Sequence, residues 1–594
     1  MINYYHQRIE ETEKNIEYLQ RRDNYLSMGR LLGFVLLVIS LIISISTLKL
    51  IPGAVTVLLA IGFVQVVLIH LKNHANLTRE NTRKMLLANE IQCLNLEGNK
   101  YYSALAFRDP NHDYSLDMDI FGEKGLFHYI NRCATGVGNK ALTGWLSDEP
   151  ELDTILARQQ AVKELALKKS WCENLRVELY ERRIKDFDAE HLPEIKKTLP
   201  PPHNIKIWIT ASFSILAITL SAIIFAGLNA SLLLLPVFFN YFFNARMNRF
   251  TSTIKIQLEG REKTLIDYHH MLTTLEAEEF SAPYLKNLQE DLLLEKNNAT
   301  TAIAYLQGLS KKLDYSLNMI VGAILNYFFI WDILTCIKIS AWFDKYASKT
   351  HLWFEVAGKL EALISLANLE NNHPQWNYPE FTENKFELSG REMGHPLIAE
   401  KERVSNSFQW AEGSFITIVT GSNMAGKSTF LRTLGVNIIL AQAGAPVCAD
   451  KLHISLFRIM TYLTITDSLS ENTSTFYREI LRLKKILESV REDNNVLLLL
   501  DELLRGTNSA DKAKGSMAIT RELINYKVPA VIATHNLELA EMQKSYPQKI
   551  TNYYFDIIID DNNKMKFDYK LKTGVCNTFN ASLLLKEIGI DIER

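Results

Sequence analysis

Gly421-Ser422-Asn423-Met424-Ala425-Gly426-Lys427-Ser428-Thr429 fits the pattern G-x-x-x-x-G-K-[ST] and lies between the apolar run Phe415 to Val419 and the amphipathic run Phe430 to Leu440. That order predicts a strand, a glycine-rich turn and a helix, which together make a phosphate cradle. The glycines let backbone N–H groups close around phosphate oxygens, and the helix N-terminus adds partial positive charge. Lys427 can reach the outer phosphates and Ser428 can ligate magnesium. A Gly-rich turn matching by chance would lack both flanks, so the stretch implies a nucleotide site.

Two downstream runs extend this reading. Val496 to Leu500 is an unbroken apolar run of strand length that ends in Asp501-Glu502. This is the expected place for a magnesium-linked carboxylate followed by one that orients water. Ala530 to Ala533 is a second such run, closed by Thr534-His535, where an imidazole could sense a terminal phosphate. Runs of this kind alternating with helical patterns predict an α/β domain with a mostly parallel sheet and ligands at the carboxyl ends of its strands. Between them, Asp467 to Phe476 is polar and hydroxyl-rich and leads into a helical pattern at Phe476, Ile480, Leu483, Leu487 and Val490, with Ser474 or Thr475 as its N-cap.

At this point the residues resemble a family. GSNMAGKST (421–429), DSLSENTSTFYRE (467–479), LLLLDELLRGTNS (497–509) and ATH (533–535) look like the ATPase domain of the MutS DNA mismatch-repair proteins, within the ABC ATPase superfamily. Gly394-His395-Pro396-Leu397-Ile398 followed by Asn406 is similar to the segment that enters that domain. Glu361 to Phe381, Gly125 to Trp145 and Arg158 to Val162 resemble parts of the family's helical core. The resemblance implies ATP and Mg2+ as cofactors, with Gly421 to Thr429 and Asn406 binding nucleotide and Lys427 acting on the phosphates. It further implies Ser428 and Asp501 at the metal, Glu502 polarising water and His535 sensing the γ-phosphate. Ser474 and Thr475 would act across a homodimer interface, with Gly506 to Ser509 beside it. Thr573 to Phe579 resembles the segment that closes the domain. The implied activity is nucleotide-gated binding of mismatched or branched DNA. Phe121-Gly122-Glu123 is similar to a mismatch-reading wedge, but it lies inside the core-like block and is read as structural.

Composition adds a membrane. Of 594 residues 47% are hydrophobic, and they cluster: Leu31 to Leu48 and Ile207 to Ala245 carry no charge, and Leu50 to Leu71 none apart from His70. A bilayer core of about 30 Å needs about 20 apolar residues per helix, so these stretches predict two hairpins and four transmembrane helices. Arg21, Arg22 and Arg30 precede the first hairpin and Lys72, Arg79, Arg83 and Lys84 follow it; Lys196, Lys197 and Lys206 precede the second and Arg246, Arg249 and Lys255 follow it. By the positive-inside rule both hairpins dip across a cell (inner) membrane and return, leaving the soluble parts in the cytoplasm. Ser316 to Ile337 is a fifth apolar stretch, interrupted by Asn326 and Asp332 and read as a packed or interfacial helix.

The expected layout is a polar helix over 1–30, a transmembrane hairpin over 31–72, a linker helix over 73–112 and a helical core over 113–205. A second hairpin over 206–245, more helical core or lever over 246–375 and the ATPase domain over 376–594 complete it. Six scattered cysteines show no C-x-x-C pair and fit reduced thiols. A net charge of −2 gives no electrostatic sign of nucleic acid. Two alternatives follow: a membrane-tethered ATP-dependent clamp on a protein partner without DNA, and a membrane transporter. DSLSENTSTF lacks a transporter's glycine-rich signature. Without a separate mismatch-reading domain, the expectation is a membrane-anchored variant of the family.

Overall fold

The computed structural model describes residues 1–47, 49–182, 201–258, 261–294, 298–384, 386–411, 413–422, 425–463, 475–493, 495–505, 508–559 and 565–576. They divide into two compact units. The first comprises Met1–Cys133, Leu142–Glu173 and Ala362–Arg594, the second Ala134–Ala141 and Asn174–Glu361.

The first unit begins with two long helices, α1 (Ile2–Thr47) and α2 (Leu50–Leu94), which pack along each other. α1 passes residue 30 without a break, because its polar first half holds helix-compatible pairs such as Arg8–Glu11 and its apolar second half has no breaker. The two arms are pinned by polar contacts, Ser40 to Thr56 at 2.8 Å and the Asn73 amide to Asp23 at 3.1 Å. At the base of the hairpin Glu90 of α2 pairs with Arg132 at 2.7 Å and accepts the Asn372 amide, while Tyr5 of α1 donates to Asn372 at 2.6 Å. Both charges are buried. Breaking that pair would leave one uncompensated, a loss of about 3–5 kcal/mol. Helices α3 (Leu126–Ile130), α4 (Gly136–Ser147), α5 (Leu152–Leu167) and α6 (Lys169–Arg182) follow; residues 136–141 of α4 and 174–182 of α6 belong to the second unit. Phe121 is 5% exposed and packs on Phe127, the structural role expected of it.

The second unit is helical: α7 (Ile205–Ala226), α8 (Leu234–Leu258), α9 (Arg261–Ala277), α10 (Pro283–Glu290), α11 (Ala299–Asp314), α12 (Met319–Phe329) and most of α13 (Trp331–Asn372). Trp342, Trp353 and Phe354 of α13 are buried with Tyr268 of α9 and Ile303 and Leu306 of α11. Among the described residues three helices are long and apolar enough to cross a membrane: α1, α2 and α7. The apolar windows of α1 and α2 are 6% buried and that of α7 is 11% buried, so none is a core helix. Of the four expected spans, the one in α8 has the shortest uncharged run. Gly227 ends α7 in the left-handed region (φ +68°) and a 3-10 turn takes Ala230–Leu233, so the charge-free part of α8 starts at Leu234 and stops before Arg246. The fifth stretch is broken at Ile330, where α12 and α13 meet at 80°.

The chain then returns to the first unit and becomes α/β. A four-stranded sheet has the order β1 (Glu380–Thr382), β5 (Lys451–Ser455), β2 (Leu388–Met393), β3 (Asn406–Gln409). A six-stranded sheet runs β10 (Met565–Thr573), β9 (Ile550–Ile559), β4 (Ile416–Thr420), β8 (Ala530–Thr534), β7 (Val496–Asp501), β6 (Arg458–Tyr462), parallel except for β10. Helices α14 (Lys427–Ala443), α15 (Thr475–Glu492), α16 (Ser509–Tyr526) and α17 (Leu537–Ser545) complete it. β4, β7 and β8 are buried along their whole length, which explains their unbroken apolar sequences. The edge strand β6 is covered by residues 111–117: Asp113 pairs with Arg458 at 2.8 Å and Asp117 accepts the Thr461 hydroxyl at 2.6 Å.

Candidate nucleotide-binding site

The carboxyl ends of three neighbouring strands meet at one place. Thr420 of β4 lies opposite Thr534 of β8, and Asp501 of β7 opposite Ala533. From Thr420 the chain turns at Gly421, with φ +148° and with a Cβ position that would fall 2.8 Å from the Phe555 carbonyl oxygen. It enters α14 after Gly426, at φ +104°. Both are conformations that side chains rarely adopt, so the glycines are required by geometry. Gly426 and the first turn of α14, Lys427 to Thr429, line a cavity of ≈560 Å³, and the first N–H groups of a helix have no intrahelical partner.

Lys427 is 4% exposed, and its ammonium donates to the Gly421 and Ser422 carbonyls, both at 2.8 Å. Burial lowers its pKa, with the negative charges of Glu502 and Asp501 opposing. The Ser428 hydroxyl donates to Asp501 Oδ2 at 2.6 Å, and Arg505 reaches the same oxygen at 3.1 Å. Burial raises the Asp501 carboxyl, against the Ser428 hydrogen bond and Arg505. Among the described residues no cluster of three acid, imidazole or thiol side chains could form an all-protein metal cage. One hydroxyl and one carboxylate beside the glycine-rich turn do fit magnesium, which keeps several waters and takes few protein ligands.

Glu502 is held differently. Its backbone is left-handed at φ +50°, as is that of Leu504 at φ +59°, a strained turn of the kind that persists where its surroundings fix it. His535 places Nδ1 3.2 Å from Glu502 Oε1, and Lys512 and Arg505 stand 3.8 Å from Oε2. Burial pushes the Glu502 carboxyl up, but His535, Lys512 and Arg505 outweigh it and hold it below its ordinary value. Glu502 is therefore a carboxylate at neutral pH.

Ser422, Gly426, Lys427, Ser428, Thr429, Asp501, Glu502 and Asn406 line the cavity. Ala425 is buried in the loop and His535 is placed behind Glu502. Asn406 acts on the wall: its amide donates to the Tyr569 carbonyl at 2.9 Å and its oxygen accepts the Leu571 N–H at 2.7 Å. That fixes the bulge of β10, where Tyr569 has φ +53°. Asn423, Met424, Ser474, Gly506, Thr507 and 577–579 lie outside the described residues, as does the side chain of Thr475, which opens α15. Cys576 N–H donates to the Thr420 hydroxyl at 3.1 Å, tying the segment after β10 to the end of β4.

Sequence reading did not assign His395, Arg505, Phe555 or Tyr569, all of which line the cavity. His395 is the one with a local signal, in Gly394-His395-Pro396. Its imidazole is pushed down to about 4 by burial and the nearby Arg432 and Arg403, so it is a neutral aromatic wall at pH 7. Phe555 and Tyr569 come from β9 and β10 and have no signal near the loop.

The fold and site thus define an α/β domain with a glycine-rich turn at the carboxyl ends of its strands, in a chain whose second unit is helical. Residues 417–583 match the family model of MutS domain V. The "DNA mismatch repair protein MutS" of Thermotoga maritima is 27% identical over 342 residues, covering 57% of this chain and 38% of that protein. The protein of the same name from Persephonella marina is 33% identical over 237 residues, covering 39% and 27% respectively. The "MutS protein homolog 4" of Homo sapiens is 31% identical over 220 residues, covering 36% and 23%. The similarity to the MutS family thus centres on residues 417–583, and the matched segments span well under half the length of these relatives.

Proposed function

We propose that the cavity binds ATP and hydrolyses it, and that the chain is a membrane-anchored, homodimeric member of the family in which the nucleotide gates binding of mismatched or branched DNA. The observation that carries the nucleotide reading is the 2.6 Å contact between Ser428 and Asp501, which sets the glycine-rich loop against the Asp501-Glu502 pair. Phosphates would replace the two carbonyls that now hold Lys427. Magnesium, when bound, supplies charge compensation for the phosphates, and Ser428 and Asp501 are the residues that would hold it. Glu502 orients the attacking water, and His535 keeps Glu502 charged and in place. Positioning and electrostatics account for catalysis of this type.

Dimer formation is supported by the exposure of Tyr477, Ile480 and Leu481 on the first turns of α15, beside the hydroxyl-rich segment. Membrane anchoring, with the nucleotide site on the cytoplasmic side, is supported by the long apolar helices α1, α2 and α7, with the charge-free half of α8 returning the chain. DNA as ligand is supported by the names of the relatives. The test is ATP turnover and binding with homoduplex, mismatched and branched DNA across salt, beside membrane vesicles alone. DNA stimulation that falls steeply with salt is expected. ATP turnover with no DNA binding at any salt would move the reading to a clamp on a protein partner, which the net charge of −2 favours.

A further inference from the structure

Tyr315 to Ile330 of the second unit is an uncharged excursion between α11 and α13, and its two ends meet. The Trp331 indole N–H donates to the Lys312 carbonyl at 2.7 Å, so the chain leaves the helical bundle and rejoins it at one point. Between them the Asn318 side chain caps α12 by accepting the N–H groups of Ile320 and Val321. α12 ends at Ile330, which is left-handed at φ +46°, and α13 departs at 80°. Leu317 is 78% exposed, Met319 90% and Ile320 73%. A helix of this length rises about 16 Å, roughly half a bilayer core.

A helix that stops inside hydrocarbon leaves its last carbonyls without water, and each must find a donor in the protein. α8 supplies them. Asn240 donates to the Tyr327 carbonyl at 2.7 Å and Asn244 to the Asn326 carbonyl at 3.1 Å. Asn240 is wholly buried and accepts the Ser212 hydroxyl of α7 at 2.7 Å, which ties the break to a helix of spanning length. Charges gather where the excursion begins and ends: Lys311 and Lys312 are exposed on α11, and Lys255 of α8 pairs with Asp332 at 2.5 Å.

We propose that Tyr315–Ile330 is a re-entrant element that enters one leaflet beside α7 and α8 and leaves on the side it entered, with lipid acyl chains as its partner. The joined ends rule out a single crossing, and the exposure of Met319 and Ile320 rules out a packed core helix. This rests on the membrane reading above, and the test separates the two.

The full-length protein, with its six native cysteines replaced, is reconstituted into vesicles of phosphatidylethanolamine and phosphatidylglycerol. It carries a spin label at Ile320→Cys, Ile324→Cys or, as the control on α1, Ile39→Cys. ATP-binding and circular dichroism measurements first establish that each variant is folded. The expected result is line broadening by oxygen well above that by aqueous nickel chelate at all three sites. An impermeant maleimide should also reach both Ser316→Cys and Trp331→Cys from the side that exposes the nucleotide domain. Nickel access at Ile320 and Ile324 with Ile39 protected would overturn the inference and leave the face to a protein partner. Labelling of Ser316→Cys only from the opposite side would overturn it in favour of a crossing. Nickel access at Ile39 as well would overturn it together with the membrane reading.

Discussion

His535 places its Nδ1 3.2 Å from Oε1 of Glu502, and with Lys512 and Arg505 this contact holds the carboxyl proposed to orient water below its ordinary pKa. Removing the imbalance between burial and His535 should move the pH dependence of turnover. Glu502 is held below its ordinary value, so it stays charged until the pH falls through that lowered pKa. In His535→Ala burial regains weight and the carboxyl titrates at higher pH. The acid limb of the turnover profile should therefore shift to higher pH, with ATP affinity at pH 8 within a few-fold of wild type. An acid limb that does not move would show that His535 acts elsewhere.

Glu502→Gln keeps the size of the side chain and the φ +50° backbone but loses the charge. ATP binding should persist while turnover falls by about 10²–10⁴-fold, the range for a positioned acid–base group. Single-turnover measurements with radiolabelled ATP read both quantities in one experiment. Turnover equal to wild type would remove Glu502 from the reaction.

His395 and His373 are both buried as neutral rings, pushed down to about 4 and about 3 respectively. Their pKa values in the unfolded chain are higher, so the unfolded state binds more protons as the pH falls from about 6.5 toward 4. Acidification over that window should lower stability by an amount on the order of a few kcal/mol, and His395→Asn should flatten the slope. Thermal unfolding between pH 7.5 and 4.5 checks the sign. His395→Ala should also weaken ATP about tenfold through lost stacking, since base–aromatic contacts contribute about 1–3 kcal/mol.

The strand, glycine turn and helix around Gly421 and Gly426, and the place of Asp501-Glu502, were legible in the sequence because each is a few consecutive residues at the end of a strand buried along its length. β4, β7 and β8 fall on the apolar runs that predict them. The cavity's other wall was not legible. His395, Phe555 and Tyr569 lie on separate segments and converge only through the sheet order and the β10 bulge that Asn406 fixes. The packing of the second hairpin was equally illegible. Ile207 to Ala245 reads as one uncharged stretch with room for two helices, and Gly227 and the 3-10 turn divide it. The amides of Asn240 and Asn244 are then spent on the carbonyls of α12.

The anchoring claim predicts that full-length protein stays in the membrane fraction after an alkaline carbonate wash and requires detergent for release. Ile39→Asp on the exposed face of α1 should reduce that retention, at a cost of about 2.5–3.5 kcal/mol for an acid near the bilayer centre. Recovery of the wild-type chain in the wash would contradict anchoring.

The central claim is that a nucleoside triphosphate is gripped by the loop Gly421 to Thr429, and equilibrium binding of ATP with magnesium to purified wild type and Lys427→Ala tests it most directly. Lys427 now donates two hydrogen bonds to its own loop, and both would pass to phosphate oxygens. At about 1.5–3 kcal/mol for a hydrogen bond to a charged group, the variant should bind at least tenfold to a hundredfold more weakly. Saturable binding by wild type with that loss in folded Lys427→Ala is the result predicted. Folded wild-type protein that binds no nucleotide, or a variant that binds as tightly, would contradict it.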